Sequence, residues 1–146
     1  METKSSNYKA AVQHILDIAP FIKELGLGLK DIGTGWCETE LMLSPRHMQQ
    51  DGYVHAGVLA TVADHTAGCA GTSLVASNEY VLTAEFNISF LHAAQGERLH
   101  CRAEVIKPGR RLIVVESTVH AVVGEESKMV AKARVTLAVV GRDIGD

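Results

Sequence analysis

The chain is 146 residues long, 47% hydrophobic and 21% charged, with a formal net charge of -3. A single domain of this size buries roughly 68–70% of the surface its unfolded chain exposes, so a core forms without disulfide or metal staples. The slight negative charge and the lack of any basic run argue against nucleic acid. The odd, scattered Cys37, Cys69 and Cys101, with no Cys-x-x-Cys pair, point to reduced thiols rather than a disulfide frame or zinc site. No apolar run approaches ~18 residues, and METKSSNYKA lacks the apolar centre of a signal peptide. The expectation is a cytoplasmic chain with no membrane segment.

From Tyr8 to Ala19, Tyr8, Val12, Ile15, Leu16 and Ala19 recur at helical spacing, and Pro20 opposes continuation. Leu25 to Ile32 alternates weakly, Gly33-Thr34-Gly35 turns the chain, and Trp36 to Leu43 places Cys37, Thr39, Leu41 and Leu43 on one strand face. A loop from Ser44-Pro45 to Tyr53 leads into one long helix that runs to Leu74. The remaining chain is β-like, with strands expected over Tyr80–Leu91, Leu99–Lys107, Leu112–Val123 and Met129–Val140. In the first of these, Leu82, Ala84, Phe86, Ile88 and Phe90 should face the core, opposite Thr83, Glu85, Asn87 and Ser89. In the third, Val114 and Val122 add apolar residues to the second face, which suggests contact with another subunit. These elements form an α+β domain in which an antiparallel sheet covers one long central helix.

Leu59, Val62, Ala63, Ala67, Ala70 and Leu74 form the helix's apolar stripe. Asp64 stands instead among Gly57, Ala60, Ala67, Gly68 and Gly71, a face of small residues that lets another backbone or a thin ligand approach. A glycine in a helix interior costs roughly 1 kcal/mol relative to alanine, so Gly68 and Gly71 imply a close approach. At the helix start, Ala56 and Gly57 present unpaired N–H groups and the positive end of the dipole to a developing oxyanion. Asp64 is suited to activate water as a general base or to attack as a nucleophile. Gly57 and Asp64 are seven residues apart in sequence, ~10.5 Å along the axis. One helix cannot bring both to one carbonyl, whereas two helices in a two-fold dimer can, which makes two equivalent sites.

The segment Gly52-Tyr53-Val54-His55-Ala56-Gly57 followed by Asp64, the strand Thr83 to Leu91 and the Pro108-Gly109-Arg110-Arg111 turn resemble the PaaI-type hot-dog acyl-CoA thioesterases. The resemblance implies one hot-dog domain over residues 1–146, dimers commonly paired into tetramers, and hydrolysis of an acyl-CoA thioester. It implies no metal and no cofactor, CoA being part of the substrate. By position, Asp64 matches the catalytic carboxylate, Gly57 the oxyanion N–H donor and His55 the histidine that shapes that site. Gln49 falls where the family often has an asparagine, and Thr83 where a hydroxyl helps hold the water. Ala56 replaces the first glycine of the usual His-Gly-Gly, and His92 stands where an arginine is frequent.

Plainer readings stand beside these. Asp64 also suits a solvated helix position, and His55 a structural hydrogen bonder near a helix start. His65 and Cys69, four apart, suit either a thiolate pair or a buried cysteine beside an exposed histidine. His47, His55 and His65 match no usual metal spacing. Arg110 and Arg111 either contact CoA phosphates or lie solvated on their turn. Two rivals to a thioesterase are a hot-dog hydratase or dehydratase and a non-catalytic acyl-CoA-binding regulatory module.

Overall fold

A computed structural model describes residues 1–142. Helix α1 (Tyr8–Ile18) buries Val12 and Leu16, one turn apart on one face. Pro20 ends α1 as expected, yet it also opens a second helix, α2 (Pro20–Leu25), at whose first turn a missing N–H costs nothing. Gly26, at φ 91°, stops α2 by returning its N–H to Ile22 O. The strand expected from Leu25 is therefore corrected: Leu25 is helical, and β1 spans Gly28–Gly33.

Strand β2 (Trp36–Met42) follows, then a 3₁₀ turn at Pro45–His47, helix α3 (Ala56–Thr72), and strands β3 (Glu79–Phe90), β4 (Arg98–Pro108), β5 (Leu112–Val123) and β6 (Glu126–Gly141). The six strands pair antiparallel in the order β1-β2-β4-β5-β6-β3, which leaves β3 at an edge, paired only with β6. Against the inner face lies α3, in contact with β2 through β6. This is the hot-dog arrangement. Among the described residues no helix is long and apolar enough to cross a membrane.

All six residues of the expected α3 stripe are buried. They meet Leu99, Ile113, Val115, Val119, Val135 and Leu137 from the sheet, each worth roughly 1.5–3 kcal/mol when fully buried. Polar groups inside this core are paired. Ser117 Oγ donates to Ala63 O at 2.8 Å, and the Thr39 and Thr66 hydroxyls lie 2.7 Å apart. On the outer face, Glu38–Arg102 and Glu116–Lys132 ion pairs occupy the centre, and the apolar residues that β5 adds to that face, Val114 and Val122, lie on either side of them.

One correction bears on function. The register of β3 against β6 shifts between Thr83 and Glu85, so Ala84 is an extra residue in the strand. Thr83 pairs with the buried Leu137, and Phe86 with the buried Val135, so both face α3. The bulge reverses the inside–outside phase. Leu82 thus pairs with Ala138 and is 54% exposed, instead of sharing the core face with Phe86 and Ile88.

Candidate active site

Asp64 sits half-buried on α3 where the helix passes the first half of β3. Its Oδ1 accepts a hydrogen bond from Thr83 Oγ1 at 2.7 Å. The hydroxyl orients the carboxylate and leaves its other oxygen unbonded among the described side chains. Both residues line a cavity of about 580 Å³ bounded by α1, α3 and β3. His65, next in sequence, lines it too and is half-buried rather than exposed. Burial holds its pKa below the ordinary histidine value, against the opposing pull of the Asp64 charge. Its Nε2 is buried without a hydrogen-bond partner among the described residues.

His65 does not activate Cys69. The Cys69 thiol is fully buried and is pushed well up by the Cys37 thiol beside it and by burial. Cys101 is likewise pushed up to about 12, chiefly by burial, so both stay protonated. His47 is also structural: buried, its Nε2 donates to Leu25 O at 2.8 Å while Nδ1 accepts from Ser44 N–H at 3.1 Å. These bonds tie the 3₁₀ turn to the end of α2.

The other expected residues gather at the N-terminus of α3. His55 is the N-cap, and its Nδ1 accepts from Gly57 N–H at 2.8 Å. The N–H expected to serve an oxyanion is thus held by a side chain two residues earlier. Glycine suits this fold-back, because a Cβ at position 57 would sit 3.0 Å from His55 Nδ1. Val58 and Leu59 both donate to His55 O, at 2.9 and 3.3 Å. Gln49 is half-buried, and its Oε1 accepts from the N–H groups of Asp51 and Tyr53, which closes the loop before the helix.

Gln49, His55 and Ala56 line a second cavity of about 470 Å³ with Phe90 and His92, in which neither Asp64 nor Thr83 takes part. His92 is exposed, with Nδ1 3.0 Å from Met129 O. The chain therefore carries two groups of candidate residues, one at Asp64 and one at the start of α3, each beside its own cavity, with Gly57 itself lining neither. Arg110 and Arg111 belong to neither cavity and are exposed on the β4–β5 turn. The sequence reading missed the share of α1 in the Asp64 cavity, to which Tyr8, Ile15 and Ile18 contribute walls. The amphipathic pattern of α1 marked its buried face but not what the rest of the helix covers.

A six-stranded antiparallel sheet around a long helix that carries a polar centre against an edge strand defines the hot-dog class of proteins. The profile of the thioesterase superfamily matches residues 51–128. The chain belongs to that superfamily and is a thioester hydrolase. A thioesterase family protein from Silicibacter pomeroyi is similar in structure, with a TM-score of 0.89 and 35% identity over 92% of this chain and 98% of that one. A thioesterase from Haemophilus influenzae shares the fold, with a TM-score of 0.84 and 23% identity over 97% and 96% of the two chains. A 1,4-dihydroxy-2-naphthoyl-CoA hydrolase of Listeria monocytogenes is 26% identical over 115 residues, 79% of this chain and 91% of that protein.

Proposed function

We propose that the chain is a PaaI-type acyl-CoA thioesterase that acts on small or medium acyl groups as a dimer, each site built from two chains. The observation that carries this reading is the Asp64–Thr83 hydrogen bond at the wall of a largely apolar cavity, separate from the helix N-terminal group. The Listeria relative is named for cleaving a CoA thioester, which supports the same chemistry here.

In this reaction a water held by Asp64 and Thr83 attacks the thioester carbonyl carbon, and the Asp64 carboxylate takes its proton. The carbonyl oxygen becomes an oxyanion held by Gly57 N–H of the partner chain, which exchanges its His55 Nδ1 acceptor for the substrate. Collapse of the intermediate breaks the C–S bond, CoA leaves as thiolate, and the proton on Asp64 neutralises it. In the alternative route Asp64 attacks the carbonyl carbon itself, the C–S bond breaks as CoA thiolate leaves, and water opens the resulting acyl-aspartyl anhydride at its aspartyl carbonyl, its protons passing to the thiolate and to solvent. Single turnover in ¹⁸O-water distinguishes the routes, because only the anhydride route carries label into Asp64. Neither route needs a metal or another cofactor.

In the proposed dimer these groups come together through β3. Strand β3 is a 12-residue edge with Leu82 54% and Phe90 49% exposed, an aggregation liability unless it is covered. Antiparallel pairing of two β3 strands about the Phe86–Asn87 peptide sets Thr83 of one chain opposite Phe90 of the other. Since Phe90 lines the cavity of His55 and Ala56, the Asp64 group of one chain then meets the α3 start of its partner. In that site Gln49 offers its amide N–H to the thioester, its oxygen being used by the loop. Ala56 shapes the adjacent wall, and Arg110 and Arg111 take CoA phosphates at the rim. Pairs of dimers form the tetramer.

The test is a panel of acyl-CoAs followed by free thiol, with the parent and Asp64→Ala. CoA release by the parent and its loss in the variant is the expected result. A parent inert toward every member, or an equally active variant, overturns the reading.

A further inference from the structure

Resting on the thioesterase reading, we infer that the Asp64 cavity is the chamber for a medium-length linear acyl chain, and that Gly68 is its specificity-determining residue. Asp64, Gly68 and Thr72 line this cavity and lie four residues apart, on one face of α3. From Asp64 to Thr72 that face spans about 12 Å at the helical rise. The chamber therefore begins at the reacting carboxylate and continues along the helix for the length of an extended medium acyl chain. Ile15 and Ile18 of α1 and Val81 of β3 give it apolar walls, and its volume of about 580 Å³ suits a small-molecule pocket. Tyr80 stands at its far end beneath the Arg142 guanidinium, 5.1 Å from the ring centroid.

Gly68 stands midway along this track. A Cβ built there would meet nothing within 4 Å, so packing inside the chain does not require glycine. Gly71, one turn on, differs: its Cβ would overlap the Leu137 side chain, which explains that glycine by core packing. The space above Gly68 is part of the cavity, and an acyl chain lying along α3 is the occupant that a side chain at position 68 would obstruct.

The experiment measures kcat/KM for acetyl-, hexanoyl-, decanoyl- and phenylacetyl-CoA with the parent, Gly68→Leu and, from the facing wall, Ile15→Trp. The parent should favour decanoyl over acetyl, and each variant should lower the decanoyl-to-acetyl ratio roughly tenfold or more, the range that pocket-filling groups command. Either variant suffices if the other does not fold. An unchanged ratio in a folded variant, or a parent preference for acetyl or phenylacetyl over decanoyl, overturns the inference. If the parent cleaves no acyl-CoA, the thioesterase reading falls, and calorimetric binding of decanoate decides the chamber by itself. Binding weakened at least tenfold by Gly68→Leu supports the chamber, whereas no binding or an unchanged affinity overturns it.

Discussion

Thr83 Oγ1 reaches Asp64 Oδ1 at 2.7 Å because one extra residue, Ala84, turns Thr83 toward α3 instead of away from it. The hydroxyl can donate only one hydrogen, and the carboxylate receives it. Its own lone pairs remain available to a water, as hydrolysis requires.

Removing either partner has a distinct expected result. Asp64→Asn keeps the shape and loses the base, so kcat falls roughly 10²- to 10⁴-fold while the melting temperature stays close to that of the parent. Thr83→Val loses the donor and lowers kcat about tenfold, equivalent to ~1.4 kcal/mol of barrier, and Thr83→Ser restores most of it. Steady-state kinetics on one good acyl-CoA checks all three; a Thr83→Val enzyme as fast as the parent removes the hydroxyl from the mechanism.

Complementation tests the two-chain site. Gly57→Pro deletes that N–H and with it the His55 cap, so its folding is verified by circular dichroism, and that variant and Asp64→Asn are each expected to be nearly inactive alone. After dissociation and mixed reassembly, half the dimers are heterodimers with one intact site out of two. Activity should return to roughly a quarter of the parent level. No recovery, with mixed dimers verified by mass, means that each site lies within one chain.

His65 should make stability depend on pH. Burial lowers its folded-state pKa beneath the unfolded value of about 6.5, so below that value the unfolded chain binds more protons than the folded one. The sign follows: the stabilisation is full above the unfolded pKa and is lost as pH falls through the folded one. Melting temperatures at about pH 7.5 and about pH 5.5 should fall less in His65→Phe than in the parent. An equal fall in both proteins would mean that other groups carry the dependence.

The two interior glycines of α3, Gly68 and Gly71, should respond oppositely to the same substitution. Gly71→Ala drives a methyl into the fully buried Leu137, an overpacking cost of about 1–3 kcal/mol that offsets its ~1 kcal/mol gain in helix propensity, and is expected to be net destabilising. Gly68→Ala meets open space and should stabilise by up to ~1 kcal/mol through helix propensity. Urea denaturation of the two variants measures both signs.

Much of this architecture was legible in the chain because its signals are local. The stripe from Leu59 to Leu74 follows the helical period, and the strands of the second half are bounded by turn residues, so both follow from spacing alone. The expected strand over Leu112–Val123 coincides with β5. Position along α3 likewise separates Gly57 from Asp64 by the helical rise alone. The departure at Leu25 is local in origin too, since Pro20 stops α1 and also starts α2, which carries the chain to Leu25.

What the tertiary structure decided lies in relations between distant segments. Strict alternation along Tyr80–Leu91 put Leu82 inward; only the pairing with β6 reveals the extra residue that puts Thr83 there instead. Likewise, no periodicity shows that His55 folds back onto Gly57 N–H, that α1 closes the cavity beside Asp64, or that Gly71 is filled by Leu137 while Gly68 is not. Sequence determined which faces are apolar and how far apart the polar groups lie, because those depend on the repeat of a single element. Which groups meet depends on register and packing between elements, and a one-residue bulge is enough to change it.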